Sequence, residues 1–349
     1  MLTNTKAIPL MILTGFLGSG KTTVLNRMLH GEHGLKIAVM VNDFGAVNID
    51  AQLIVDVDET DEMINLSNGC ICCTIRGDLV KAVLQIIERE EQPDMIVIET
   101  SGVTDPIDVV LTLRAINLIK IDSVVTVIDV EQVFDAYAAY ETLMLNQIGT
   151  ADLVLLNKVD LVDEGHLAKV TGLVNEIAPK ARLLETVQGN APLEVLLGTH
   201  TFDMTQIDGK TAQDIHVHDS DHHHEHDDHS LIFDTWTWTS PKPLSYRALE
   251  RAVDKLPLTV YRAKGILFLA DDPDKRGLLH VVGKRAEVSW GEAWHSQAPQ
   301  TQIVVIGKQD MLDTTALTET FEACLAENAP KSEIERVANR ALAWLRGQH

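Results

Sequence analysis

Short runs of apolar, mostly β-branched residues recur along the first two hundred positions, each followed by a stretch whose apolar residues return every three or four places. The runs at 10–14, 36–42, 95–99, 123–129 and 153–157 are nearly continuous in apolar character. That pattern predicts strands covered on both faces, since a strand with one wet face would alternate. Strands alternating with helical patterns, such as those at 23–29 and 75–89, predict a parallel sheet flanked by helices, an α/β fold. Beyond residue 231 the rhythm changes. Strands are expected at 231–238, 258–270, 278–282, 286–290 and 302–307, joined by short turns, with helices at 246–255, 311–327 and 332–346. This predicts a smaller C-terminal α+β domain with a mostly antiparallel sheet. A chain of 349 residues suits two domains, here divided as 1–202 and 231–349.

The segment between them, 203–230, has another character. From Asp203 to Asp234 nine acids stand against one base, Lys210, which predicts a mobile acidic linker. The whole chain carries a formal net charge of -22. A polyanion or an anionic membrane would be repelled, and no Lys/Arg cluster offsets this, so neither nucleic acid nor membrane is an expected partner. The apolar stretch at 8–13 is too short to span a bilayer and has no cleavage site after it, so it reads as a buried first strand. Three of the four cysteines fall within four residues, unlike a disulfide framework, which points to a reducing, cytoplasmic setting. The fourth, Cys324, shares an apolar helical pattern with Phe321 and Leu325 and reads as a small buried hydrophobe.

Candidate chemistry begins at the end of the first strand. Gly15-Phe-Leu-Gly18-Ser19-Gly20-Lys21-Thr22 fits G-x-x-x-x-G-K-[ST] between a strand and a helix, the context the motif requires. Its glycines let backbone N–H groups turn around phosphates, and the helix N-terminus adds its dipole. Lys21 reaches the β and γ oxygens, and Thr22 ligates Mg²⁺. Asn157-Lys158-Val159-Asp160 follows a later strand, where the Asp160 carboxylate can accept from guanine N1 and its 2-amino group. This favours GTP; a kinase-like P-loop enzyme acting on a small molecule would lack that selectivity. Glu99-Thr100-Ser101-Gly102 ends the strand 95–99. Glu99 could hold Mg²⁺ through water or orient the attacking water, while Gly102 presents its N–H to the γ-phosphate. Asn42-Asp43-Phe44-Gly45 places a further carboxylate, Asp43, after the second strand as a switch element; an ordinary strand-to-loop turn is the plainer alternative. No built-in arginine finger is visible, so slow intrinsic hydrolysis is expected.

A second chemistry lies between a short strand pattern at 63–67 and the helix 75–89. Cys70, Cys72 and Cys73 could bind a soft or borderline ion such as Zn²⁺, Co²⁺ or Cu⁺. Adjacent Cys72 and Cys73 would face opposite ways in a strand, so convergence requires a turn and a fourth ligand from elsewhere. A redox-active thiol pair or simple burial are the alternatives. His216, His218, His222, His223, His224, His226 and His229, half of the fourteen histidines, suit weak collection of divalent ions, or simply a solvated linker.

Taken together, Gly15 to Thr23, Val41-Asn-Asp-Phe-Gly45, Gly69-Cys-Ile-Cys-Cys-Thr74, Glu99-Thr-Ser-Gly102 and Leu155-Leu-Asn-Lys-Val-Asp-Leu161 resemble the CobW family of P-loop GTPases, relatives of the GTPases that insert nickel into urease and hydrogenase. Tyr261-Arg-Ala-Lys-Gly265 and Val304-Val-Ile-Gly307 resemble that family's C-terminal domain. The resemblance implies a GTP-dependent metallochaperone with Mg²⁺ beside the nucleotide. Its C-x-C-C cysteines would bind Zn²⁺ or Co²⁺ for an unidentified client metalloprotein, and a homodimer is compatible with such a role. Asp43 departs from the pattern, since the family usually has Glu there, and the shorter side chain would reach Mg²⁺ only through water or a shifted backbone. A metal buffer or sensor built on the histidine tract is the rival reading.

Overall fold

The computed structural model describes residues 7–41, 62–65, 74–89, 91–198, 233–295 and 297–329. Asp43, the clustered cysteines, the histidine tract and the expected helix 332–346 lie outside these residues. Seven strands form the first sheet: β1 Ile8–Thr14, β2 Ile37–Val41, β3 Glu62–Asn65, β4 Met95–Glu99, β5 Ile119–Asp129, β6 Leu153–Asn157 and β7 Arg182–Thr186. Their order is β3-β2-β4-β1-β5-β6-β7, and every pairing is parallel. Both faces are covered, as the continuous apolar runs predict. Met11 and Leu13 join the core beneath Val24, Leu25 and Met28 of helix α1, Lys21–Leu29. Leu10 and Ile12, pointing the other way, pack with Val83 and Ile86 of the helix Thr74–Ile87.

Two differences from the sequence reading have physical causes. β7 escapes the apolar pattern because it is an edge strand whose residues Arg182 and Glu185 are polar. β5 begins four residues earlier than expected, its start disguised by Lys120 and Asp122. The register against β1 slips there, with Leu10 opposite Ile121 and Met11 opposite Ser123. Asp122 is therefore the extra residue of a β-bulge, a device that re-aims a side chain out of the pleat.

The second sheet has the order β11-β10-β9-β12-β8, built from β8 Phe233–Ser240, β9 Val260–Phe268, β10 Lys275–Val282, β11 Arg285–Ala293 and β12 Thr301–Lys308. All its pairings are antiparallel, as expected. The helices Tyr246–Val253 and Thr314–Glu322 cover one face, through Leu249, Val253, Leu317 and Phe321. The latter helix is shorter than the sequence pattern, because the Asp313 side chain caps its N-terminus and Leu325 leaves it to bridge Leu244. Cys324 is buried beside them.

The second sheet docks at the N-terminal ends of β5, β6 and β7. Arg262 reaches across with Nη2 3.1 Å from Asp122 Oδ2, and its Nη1 donates to the carbonyls of Val195 and Leu196. His280 Nε2 lies 2.6 Å from Asp122 Oδ1, Arg285 pairs with Asp152, and Arg182 Nε donates to the Val260 carbonyl. Tyr261, Val282 and Ile306 add apolar contact to the core of the first sheet. Among the described residues, no helix is long and apolar enough to cross a membrane.

Candidate nucleotide site

At the opposite end, where β1 stops, the chain turns through Gly15, Gly18 and Gly20, all with positive φ, and enters α1 at Lys21. Gly20 sits at φ 103, in left-handed space. A Cβ there would also collide with Asn157 Nδ2. The helix start has no side-chain cap and no acid in its first turn. Elsewhere Asp105, Asp163 and Asp313 each cap a helix. The first N–H groups of α1 thus need an acceptor from outside, and an anion suits them. Lys21 is buried with its Nζ donating to the Phe16 carbonyl at 3.0 Å, so the ammonium is folded over the loop it would serve.

The structure brings Glu99 to this loop. Thr22 Oγ1 donates to Glu99 Oε1 at 2.8 Å, across 77 positions of sequence. Both lie where β4, the neighbour of β1, runs out. Thr100 extends the link, its backbone N–H donating to the Leu13 carbonyl and its hydroxyl to Thr14 Oγ1 at 2.9 Å. Gly102 then passes so close to the loop that a Cβ would lie 2.5 Å from Leu17 N. Val41, the last described residue of β2, lies opposite Glu99 in register, two positions before Asp43 in sequence.

Asn157-Lys158-Val159-Asp160 divides its labour. Asn157 is buried and holds three segments together: its Nδ2 donates to the Ser19 carbonyl at 2.9 Å, and its Oδ1 accepts from Gly189 N at 2.9 Å and Thr186 Oγ1 at 3.1 Å. Lys158 adopts φ 66 and extends its Nζ to Asp129 Oδ2, 2.6 Å away. Asp160 stands exposed on the short 3-10 turn Val159–Leu161, where a carboxylate can accept hydrogen bonds from an incoming base.

Three contributors escaped the sequence reading. Asp129 ends β5 and orients Lys158 while its Oδ1 caps the N–H groups of Glu131 and Gln132; a lone acid closing a buried apolar strand was the available signal. Gln188 and Gly189 form a loop against α1, with Arg27 Nε donating to the Gln188 carbonyl at 2.9 Å. Gln147 reaches the Gly102 turn from a distant helix, and nothing in its sequence context marks it. Among the described residues no group of three His, Cys, Asp or Glu could hold a metal ion. The cysteines Cys70, Cys72 and Cys73 are outside that set, but β3 ends at Asn65 and the next helix begins at Thr74. β3 runs parallel to β2, so the polypeptide enters the cysteine segment at the same end of the sheet as the glycine loop.

A parallel sheet whose first strand feeds a glycine loop and an uncapped helix, with a carboxylate against the loop threonine, defines a P-loop nucleotide-binding protein. Residues 9–185 match the model of the CobW/HypB/UreG nucleotide-binding domain, and residues 233–325 match the cobalamin synthesis protein cobW C-terminal domain. The chain belongs to the CobW family of P-loop GTPases. It is 31% identical over 322 residues to the zinc-regulated GTPase metalloprotein activator 1 of Dictyostelium discoideum, an alignment covering 79% of this chain and 66% of that one. It is 30% identical over 341 residues to the zinc chaperone CobW of a Sinorhizobium species, covering 88% and 95%. The crystal structure of Zn(II)-bound YjiA GTPase from E. coli is similar at 25% identity and a TM-score of 0.43, over 91% of this chain and 99% of that one.

Proposed function

We propose that this protein is a GTP-hydrolysing metallochaperone that takes up zinc at Cys70, Cys72 and Cys73 and delivers it to a client metalloprotein. The observation that carries the nucleotide half is the Thr22–Glu99 contact at the foot of the glycine loop. Two hard oxygens 2.8 Å apart are close to the edge, about 3 Å, of an octahedron with ligands at about 2.1 Å, so Thr22 and Glu99 fit Mg²⁺. Held by Thr22 and Glu99, Mg²⁺ would supply neutralisation of the phosphate charge. Gly15, Gly18, Ser19 and Gly20 cradle the phosphates, Lys21 leaves the Phe16 carbonyl for the β and γ oxygens, and Thr23 follows in the first turn of α1. Gly102 offers its N–H to the γ-phosphate. Asp160 reads the guanine edge, and Asp43 responds to the nucleotide from the end of β2.

The metal half is supported by the names of the relatives, a zinc chaperone and a zinc-regulated activator. It is also supported by the path of the chain, which enters both the Asp43 and the cysteine segments from the nucleotide end of the sheet. A site that shares backbone with the γ-phosphate sensors has an affinity linked to the nucleotide state. Titration of Zn²⁺ into the protein, with a non-hydrolysable GTP analogue and then with GDP, tests this. Different affinities are expected, and equal ones would remove the coupling. Cys72→Ala should weaken zinc binding and leave nucleotide binding intact. Deleting 214–229 in a parallel sample separates the rival: zinc uptake lost with the tract and indifferent to Cys72 would make the protein a buffer or sensor. Co²⁺ competition in the same titration assigns the preferred ion, and light scattering in each nucleotide state tests for a homodimer. GTP should also outcompete ATP, and Asp160→Asn should erase that preference.

A further inference from the structure

The helix Glu141–Thr150 lies across the helix Pro106–Leu113 and beside β5, outside every nucleotide motif. One turn of it nevertheless grips the segment that follows Glu99. Gln147 is fully buried, and its Nε2 donates to the carbonyls of Gly102 at 3.2 Å and Thr104 at 3.3 Å. Its own backbone carbonyl accepts from Thr126 Oγ1 at 2.7 Å, which ties the amide's base to β5. The preceding residue, Asn146, donates from Nδ2 to Asp105 Oδ2 at 2.6 Å, and the other oxygen of Asp105 accepts from Ile107 N. The far side of the same turn presses on the glycine loop through Gly102 and Leu17. Both protons of the Gln147 amide are committed to carbonyls, and because peptides are planar this fixes the planes that follow Gly102 and Thr104.

We propose that Gln147 is a positioning residue of the GTPase cycle: its amide holds the turn Gly102–Thr104 in the orientation that meets the γ-phosphate, and thereby sets both the hydrolysis rate and the preference for GTP over GDP. The inference rests on the reading of the glycine loop as the GTP site. GDP, which lacks the γ-phosphate, does not engage this turn. A core glutamine that merely fills space would instead affect all ligands alike.

The test uses the full chain with Gln147→Met, which keeps length and volume without donors, and Gln147→Glu, which is isosteric but turns acceptors toward two carbonyls. For each, kcat and KM for GTP are measured, along with Kd for GDP and for a non-hydrolysable GTP analogue. The expected result is a fall in kcat of roughly 10–100-fold, the scale of misplacing a reacting group by about 1 Å. GDP affinity should stay near wild type while the analogue binds more weakly. Gln147→Glu should also recover activity as pH falls, since a protonated carboxyl regains one donor; the methionine variant should not. Asn146→Ala, at a less buried position, provides a milder version with a smaller shift in the same direction, and it remains informative if the Gln147 variants do not fold. Wild-type kcat and wild-type selectivity in these variants, or equal losses for GDP and the analogue, would overturn the role of Gln147. Absence of GTP turnover in the wild-type protein would instead overturn the site reading, so the two failures are distinguishable.

Discussion

The two ends of the parallel sheet handle polar groups in opposite ways. At the N-terminal ends of its strands, charges are buried and matched: Asp122 and Arg262 are both almost fully buried and face each other, with His280 and Lys264 nearby. Burial pushes the Asp122 carboxyl up, but Arg262, His280 and Lys264 outweigh it and hold the group well below the ordinary carboxylate range. At the C-terminal ends one charge pair, Lys158 with Asp129, stands beside polar groups of another kind: backbone N–H donors of an uncapped helix, a lysine that donates to the Phe16 carbonyl, and an exposed carboxylate. Charges that already have their partners fix two sheets together. The N–H donors of an uncapped helix and an exposed carboxylate can take a ligand as partner. One sheet therefore carries a rigid joint and a responsive site, separated by the length of β5.

The comparison can be broken at several points. The largest effect is expected from Asp122→Ala, which leaves Arg262 buried without its counter-ion at a cost of about 3–5 kcal/mol. Urea unfolding should show the loss, and GTP turnover per folded molecule should hold; a cost below about 1 kcal/mol would mean that the joint does not depend on this pair. Lys21→Ala should do the reverse. Hydrolysis is expected to fall roughly 10²–10³-fold, the range for losing one transition-state charge donor, with little change in unfolding. Unaltered single-turnover rates would take Lys21 out of the reaction. Asn157→Ala strips the Ser19 carbonyl, Gly189 N–H and Thr186 hydroxyl of a shared partner, which should cost about 1–3 kcal/mol. Calorimetry should find weaker GDP binding, because the loop it joins belongs to the site.

The smallest effect sharpens the joint through pH. Burial lowers the His280 pKa from its ordinary 6.5, against the pull of Asp122 and with help from Arg262 and Lys264. A folded pKa below the unfolded one means that the unfolded chain binds more protons between them. The stability His280 contributes is therefore fully present above pH 6.5 and lost as pH falls through its lowered folded value. Asp122 adds a second loss in the same direction, beginning only below its ordinary value of 3.8. The urea midpoint should decline as pH is lowered from 7 toward 5, and less steeply in His280→Gln. A midpoint that rises over that range would contradict the assigned shift.

Legibility followed the same division. The glycine loop, its lysine and the guanine-type motif could be read from sequence because each is a contiguous string whose spacing is dictated by backbone geometry at a strand end. The sheet that bears them could be read for a related reason: strands wet on neither face must be apolar throughout, as Leu10 to Leu13 and Leu153 to Leu156 are. Gln147, Asp129 and the Gln188–Gly189 loop could not, because the contacts that bring them to the site are with residues tens of positions away. The start of β5 was hidden for a similar reason, since its polar residues Lys120 and Asp122 face partners in the second sheet.

By itself, then, the sequence determined what is local or periodic: two sheets of different kind, a phosphate-type loop between strand and helix, and the family. Only the tertiary structure decided which carboxylate meets Thr22, which amide grips the Gly102 turn, and which arginine fills the bulge of β5. Those pairings depend on strand order and register, which bring together residues 45 to 140 positions apart. No local spacing encodes such distances, because they are set by which strands the chain finds as neighbours when it buries both faces of its sheet.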